Sequence, residues 1–583
     1  MTHNRERLFA ASELLEAGDW RAELRNDELA EISYHGIPVL RGVRAVVRDR
    51  DWQTLVPVVR GIERVQGAGR FAVHLDIDFA GSGCRYSGKL GIGFSAGSLE
   101  VVFDGEASAE FKSNRIGLVV LHRPDEAGRP VVIGTPEGET RSSRFPVQIS
   151  PHQPFRDVAA MQWTRDGGNF RIDFSGDVFE TEDQRNWTDA SYKTYSRPLS
   201  LPFPMDIPAG SRLNQSLRLT ASVPARRRLN ASTPANEELV VTADVAAMVP
   251  ALSLSAADGV TGNALPLSVP GLESLLVELA AGNPDLKQRA RQAKEQAQAL
   301  NVPLDVRLSV DNPDQIPRLL NLVASHRVLR LGVFGSKSHV TEPALWEALE
   351  SAADESGFRG QLIAGARSHF TELNRSAHVI PGRASGLTYS VTPQMHATEV
   401  PHIVESLPMQ SVTAANALRI ADGRPLYIGP VTLKPRFNAV ATTALNDETT
   451  KGTADPLQAD PFTAAWLLGS IAALSVPGVQ SVSYFETGGP RGISTAAGLT
   501  PAGKVLTALA ALRGRNILQT RGIRHGMVLY PVQDAGGIVL FAANLTRHPK
   551  KETVRLPDGA YTDLVLEPWT ATIQHLEPKG KST

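Results

Sequence analysis

Between about residues 20 and 222 apolar and polar positions alternate in short runs, as in Phe71–Phe79, Leu99–Phe103 and Asn169–Phe174. They recur every ten or so residues with Gly, Asp and Asn between them, a rhythm that predicts a large antiparallel β-sandwich. Its last strand is Leu213–Leu219, and the polar stretch Ala225–Glu237 then predicts a linker. Beyond it, apolar runs alternate with helical ones. The strand-like runs are Ala251–Ser255, Leu275–Leu279, Asp305–Val310, Val328–Phe334, Gln361–Ala366, Gly386–Val391, Leu426–Val431 and Val482–Glu486. Helical spacing marks Pro284–Leu300, Pro313–His326, Pro343–Ser356 and Ala464–Leu474. Alternation of this kind over such a length predicts a (β/α)8 barrel of the TIM type. Its first unit is the least regular, because the connecting segment is rich in Gly and Pro. From about residue 520 the β rhythm returns in Met527–Tyr530, Gly537–Ala542, Lys551–Arg555 and Trp569–Ile573, predicting a small C-terminal β-sandwich.

The expected architecture is therefore multidomain, α/β plus β: an N-terminal antiparallel β-sandwich over 1–224, a linker over 225–237, a barrel over 238–518 and a C-terminal β-domain over 519–583. A chain of 583 residues supports this division, since single cores stop growing near ~250–300 residues. Lys and Arg together number 60 against 61 Asp and Glu, a net charge of −1. With no basic block, the electrostatic footprint of a nucleic-acid binder is missing. The first residues are charged rather than apolar, and no run approaches the ~20 apolar residues of a membrane span. A cytoplasmic protein without membrane contact is expected, and a homo-oligomer is compatible with this composition. Cys84 is the only cysteine, which excludes an intrachain disulfide and a thiolate metal cluster.

One segment breaks the β pattern. Glu180–Tyr195 packs Glu180, Glu182, Asp183, Arg185, Asn186, Trp187, Asp189, Tyr192, Lys193 and Tyr195 directly behind an alternating strand. It is too polar for a core and too aromatic for a solvated linker. Such a mixture suits a polyhydroxylated ligand, whose hydroxyls need donors and acceptors and whose C–H surface needs an aromatic face. The competing reading is a structural corner held by its own salt bridges.

If the barrel forms, chemistry belongs at the C-terminal ends of its strands. Those ends offer Ser255 and Asp258; Asp311 and Asn312; Arg367, His369, Glu372, Asn374 and Arg375; Gln394 and His396; Lys434 and Arg436; and Glu486 and Arg491. Glu486 stands out, ending an apolar strand just before the permissive run Gly488–Gly492, and is either a proton acceptor or a rim carboxylate paired with an arginine. His396 carries the side chain best tuned to proton transfer near neutral pH; His369 is a weaker version of the same case. The chain has no HExxH, Cys/His zinc spacing, EF-hand loop, P-loop or GxSxG elbow. No metal or cofactor is expected, and water activated by a carboxylate or histidine is the mechanism left.

Seven stretches go further: Val47–Trp52, Asn114–His122, Phe145–Phe155, Glu182–Tyr195, Phe370–Arg375, Pro393–Ala397 and Tyr484–Gly488. In these the chain resembles the D-apionate lactonase family along most of its length. The one departure, Arg123 where a proline is expected after Leu121-His122, falls on a turn. The resemblance implies hydrolysis of the lactone of D-apionic acid, an intermediate in bacterial breakdown of the branched pentose apiose, with a small sugar lactone as the partner molecule. That reaction needs a base for water, donors for the carbonyl oxyanion and a proton for the ring oxygen. The candidate catalytic set is Glu486 as base, His396 as its partner or the acid, and Glu182. Arg185 and Lys193 are candidate oxyanion or hydroxyl donors; Asp183, Asn186, Asp189, Glu372, Asn374 and His369 are candidate hydroxyl ligands. Two other classes remain open, a glycoside hydrolase and a non-catalytic carbohydrate-binding protein. Against the first, the ends of strands four and seven, Phe334–Lys337 and Thr432–Pro435, carry no carboxylate, and only a pair such as Glu486 with Glu372 would supply the two that it requires.

Overall fold

The computed structural model describes residue 8 and residues 12–67, 70–224, 237–260, 268–441 and 454–577. Most of the expected linker, 225–236, and part of the irregular first barrel connection, 261–267, lie outside the described residues, as do residues 1–7.

Two nine-stranded antiparallel sheets form the N-terminal domain. One runs Ser12–Ala17, Trp20–Arg25, Glu28–Tyr34, Ile37–Asp49, Phe111–His122, Tyr192–Ser196, Phe179–Asp183 and Phe155–Val158, with Met205–Ile207 added beside Phe111–His122. The two sheets differ in how they are covered. Along Ser98–Ala107 and Arg212–Ser222 of the second sheet, buried positions alternate with exposed or half-buried ones, as one solvated face requires. Along Ile37–Asp49, Phe111–His122 and Tyr192–Ser196 nearly every residue is buried. Val43, Ala45 and Val47 point into the sandwich core together with Leu118, Val120 and Tyr192. The intervening residues, Arg44, Val46, Arg48, Arg115, Val119, Lys193 and Tyr195, lie on the opposite face, and that face meets the barrel across a cavity.

Eight parallel strands close the barrel: Ala251–Ser255, Leu275–Ala280, Leu304–Val310, Val328–Gly335, Gln361–His369, Leu387–Ser390, Leu426–Val431 and Val479–Glu486. Each was legible as an apolar run because a parallel strand is buried on both faces. The helices Leu286–Leu300, Pro343–Glu355 and Pro461–Leu474 match their expected places. The helix expected over Pro313–His326 is shorter, with a single-turn lead at Pro313–Gln315 before Ile316–Asn321.

The last domain is a seven-stranded sheet whose halves share one core of Leu239, Val241, Leu518, Leu529, Leu540, Val554 and Leu564. Its strand Leu239–Met248 falls inside the 238–518 span expected for the barrel. It pairs instead with Asn516–Arg521 and Lys550–Arg555. Helix Pro461–Leu474 packs between the barrel and this sheet, which is why it is apolar on nearly every side.

Candidate functional site

A cavity of about 780 Å³ lies between the buried outer face of the first sheet and the barrel rim after strands five, six and seven. The barrel contributes Arg375, Gln394–Glu399, Lys434, Pro435, Phe437 and Asn438. The sandwich contributes Arg44, Arg48, Trp52, Arg115, Glu182, Trp187, Lys193 and Tyr195. The volume falls within the ~300–1,000 Å³ usual for small-molecule sites.

The polar run is a hairpin whose register explains its pairing. Strands Phe179–Asp183 and Tyr192–Ser196 place Glu182 directly opposite Lys193, the closest approach that two strands offer to opposite charges. The two ion-pair at 2.5 Å, and Trp187 Nε1 donates to the other Glu182 oxygen at 2.9 Å. Burial alone would raise the Glu182 carboxyl; the Lys193 ammonium, with the hydrogen bond from Trp187, outweighs it and holds it well below the usual carboxylate range. Burial pulls Lys193 below its ordinary range, against the upward pull of Glu182.

The tip of the hairpin is a 3-10 turn, Gln184–Trp187, closed by Thr188 in the left-handed conformation. This turn carries Asp189 to the barrel, where its carboxylate meets Nδ1 of His396 at 2.6 Å. Trp187 stands edge-on to the His396 ring, with centroids 5.7 Å apart. His396 Nε2 makes no hydrogen bond to any described residue, and the side chain lines the cavity. Burial lowers the His396 pKa, partly countered by Asp189. The result is a neutral imidazole oriented by a carboxylate, with one nitrogen open to the cavity: the arrangement of a general base.

Other expected site residues sit elsewhere. Arg185 is wholly buried over the Tyr192 ring, bound to Asp183 at 2.7 and 2.8 Å and to the carbonyls of Pro146 and Val147. Asp183 also accepts from the Ser150 amide. This pair is the structural corner, away from the cavity lining. Asn186 bonds the Ser150 carbonyl and accepts from Asn374 at 2.9 Å, while Asn374 also donates to the Ile149 carbonyl. Both amides fasten the sandwich to the barrel, outside the cavity lining. Glu372 accepts from Ser368 Oγ and the His369 amide, capping the helix Phe370–Arg375, and stands outside the cavity lining. His369 is buried 5.7 Å from Trp187, its pKa pulled down to about 3 by burial and by Arg436, His339 and His396.

Glu486 lies at the barrel mouth beside strand one, outside the cavity lining. Arg491 holds it at 2.6 and 2.8 Å; burial raises its carboxyl against the pull of that arginine. Near it Arg289 pairs with Asp258, and Arg367 and Arg436 bind Glu278. Burial would raise the Glu278 carboxyl, but Arg436 and Arg367 hold it down to about 2. Glu278 was missed in the sequence because it sits mid-strand in an apolar run. Among the described residues no three His, Cys, Asp or Glu side chains converge as metal ligands, and no helix is long and apolar enough to cross a membrane.

A D-apionate lactonase of Brucella anthropi is 26% identical over 97% of this chain and 96% of its own length. Among solved structures, a GH30 endoxylanase from Clostridium papyrosolvens has a TM-score of 0.36 at 11% identity, covering 58% of this chain and 99% of its own. A beta-arabinopyranosidase has a TM-score of 0.32 at 12% identity over 96% of this chain and 99% of its own. The family models for the D-apionate lactonase N-terminal domain and TIM barrel domain match residues 2–224 and 250–514. The chain therefore belongs to the D-apionate lactonase family.

Proposed function

We propose that the chain hydrolyses a sugar-acid lactone, D-apionolactone in the first instance, by attack of water that His396 activates. The observation that carries this reading is the Asp189–His396 pair on the cavity wall, with the imidazole neutral and Nε2 unengaged. Asp189 holds the proton on Nδ1, so Nε2 is the accepting nitrogen. Water adds to the carbonyl as its proton passes to Nε2. The tetrahedral oxyanion then collapses, the ring C–O bond breaks, and the imidazolium returns its proton to the departing ring oxygen. Glu182 and Lys193, an acceptor and a donor side by side, bind substrate hydroxyls, and Trp187 covers a C–H face. The charge that develops on the carbonyl oxygen meets a wall richer in cations than in carboxylates.

Acid release from D-apionolactone and other aldonolactones in weak buffer tests this. His396→Ala is expected to lower kcat by about 10²–10⁴-fold, the usual worth of a general base, with folding unchanged by circular dichroism. No acceleration of any lactone by the unmodified protein would sink the reading. A loss in Glu486→Gln equal to that in His396→Ala would return the role of base to the barrel mouth.

A further inference from the structure

Six cationic side chains line the cavity, Arg44, Arg48, Arg115, Lys193, Arg375 and Lys434, against two carboxylates, Glu182 and Glu399. Most are engaged. Arg44 is bound by Asp27 and Glu399, and Lys193 by Glu182. Arg115 donates to the carbonyls of Asn114 and Pro198 while stacking on Trp52 and Phe203. Arg375 donates to the Pro151 carbonyl. Arg48 is different. It is 9% exposed, yet its guanidinium has neither a hydrogen bond nor an ion pair with any described residue. Strand alternation through Arg44, Val46 and Arg48 turns it toward the cavity. Lys434 also lacks a partner among the described residues, but it stands on the barrel wall and is only half-buried. A buried charge is costly unless something pairs with it, and arginine stays protonated throughout the ordinary pH range. Burial works against the Arg48 charge, and Glu182 and Asp189 oppose that effect through space.

We infer that Arg48 is the seat of the negative charge that lactone opening creates, first on the carbonyl oxygen and then on the carboxylate of the sugar-acid product. This rests on the lactonase reading above. Addition of water forms the new C–O bond and places a negative charge on the former carbonyl oxygen. Breaking the ring C–O bond returns that electron pair to the carbonyl, and the leaving oxygen takes the proton from His396. The carboxylic acid formed loses its proton to solvent. Arg48 faces one oxygen in the first stage and two equivalent oxygens in the last. A guanidinium fork matches the second geometry bidentately, which an ammonium does not. The ligand class assigned to the seat is a polyhydroxy monocarboxylate.

Calorimetric titration of the full chain with a five-carbon aldonate and with the matching neutral alditol tests the seat apart from turnover. The unmodified protein is expected to bind the aldonate at least about tenfold more tightly than the alditol, as one good charge-assisted contact allows. Arg48→Met is expected to abolish that preference and to lower kcat on the lactone by about 10²–10³-fold, the usual effect of removing an oxyanion donor. Arg48→Lys, which keeps the charge and loses the fork, is expected to keep only part of both. Equal binding of aldonate and alditol by the unmodified protein overturns the inference without any variant. So does a folded Arg48→Met that keeps the preference, or one that weakens both ligands equally, which marks a structural role. Should Arg48→Met not fold, an undiminished preference in Arg48→Lys overturns it. If no lactone is turned over while the aldonate preference persists and depends on Arg48, the reaction falls and the seat stands.

Discussion

An imidazole that must be neutral to act leaves a signature in the pH profile. Burial sets the His396 pKa below its ordinary 6.5, and the Asp189 charge pulls it back upward. Activity governed by His396 should hold at neutrality and fall on acidification only through an apparent pKa below 6.5. In Asp189→Asn the upward pull is gone, so the acid limb should move to lower pH, while loss of the orienting contact cuts kcat by roughly 10²–10⁴-fold. A profile of kcat/KM against pH for both proteins decides it; an acid limb that rises in the variant contradicts the assignment. Lys193 gives a companion case with the opposite limb. Glu182 supports its ammonium against burial, so Glu182→Gln should bring the alkaline limb of binding to lower pH, read by titrating aldonate affinity. At this scale the sequence was partly legible. His396 and Asp189 were both visible, one behind an apolar strand and one in the polar run, but their pairing spans 207 positions of chain. Arg48 was hidden because Arg44-Ala45-Val46-Val47-Arg48 alternates like the solvated face of a sheet, and nothing local tells solvent from a cavity roofed by another domain. Glu486 is ambiguous in sequence for the converse reason: a carboxylate ending a strand looks the same whether it meets substrate or an arginine.

Besides the contacts at the hairpin tip, the sandwich is held to the barrel through one short helix, Val400–Glu405, whose His402 and Glu405 bond side chains of strands Glu28–Tyr34 and Ile37–Asp49. Arg41 donates to His402 Nδ1 at 2.6 Å and also binds Glu405. Because arginine only donates, Nδ1 must be the accepting nitrogen, so Nε2 carries the proton and donates to Glu28 at 2.7 Å. Burial would raise the Glu28 carboxyl, but His402, Arg44 and Arg41 hold it well below the usual carboxylate range. A carboxylate with a depressed pKa contributes stability that is present above its ordinary pKa and is lost as pH falls toward the folded value. Glu28→Ala removes the acceptor and leaves buried cations short of counter-charge, an effect of roughly 3–5 kcal/mol. Urea unfolding at neutral pH should show a lowered midpoint, and the gap from the unmodified protein should shrink in acid; an unchanged midpoint would refute the clasp. Such contacts are invisible in sequence because their partners lie more than 350 residues apart. The barrel strands were legible for the opposite reason, each carrying its own signal as an apolar run. Leu239–Met248 carries a strand signal too, but no local pattern says which sheet it will join.

The cavity belongs to neither domain alone. The proposed base, His396, comes from the loop after barrel strand six; the carboxylate that orients it, the Glu182–Lys193 pair and Arg48 come from the sandwich. Each side nevertheless has its own core, one within the two sheets and one running through the barrel into the C-terminal sheet. Cleavage between residues 224 and 237 therefore separates two self-sufficient cores while halving the site. The second piece must begin by 237, because Leu239–Met248 is an interior strand of the C-terminal sheet and helix Pro461–Leu474 is covered by that sheet. Each piece alone should fold, by circular dichroism, and release no acid from the lactone. Mixing should restore turnover that saturates with the concentration of the partner piece, as assembly by mass action requires. Added salt should weaken that recovery most where the contacts are solvent-accessible ion pairs, such as Glu399 with Arg44. Full activity in the barrel piece alone would place the chemistry at the mouth beside Glu486 and Glu278, and would leave the sandwich as a support rather than half of the active site.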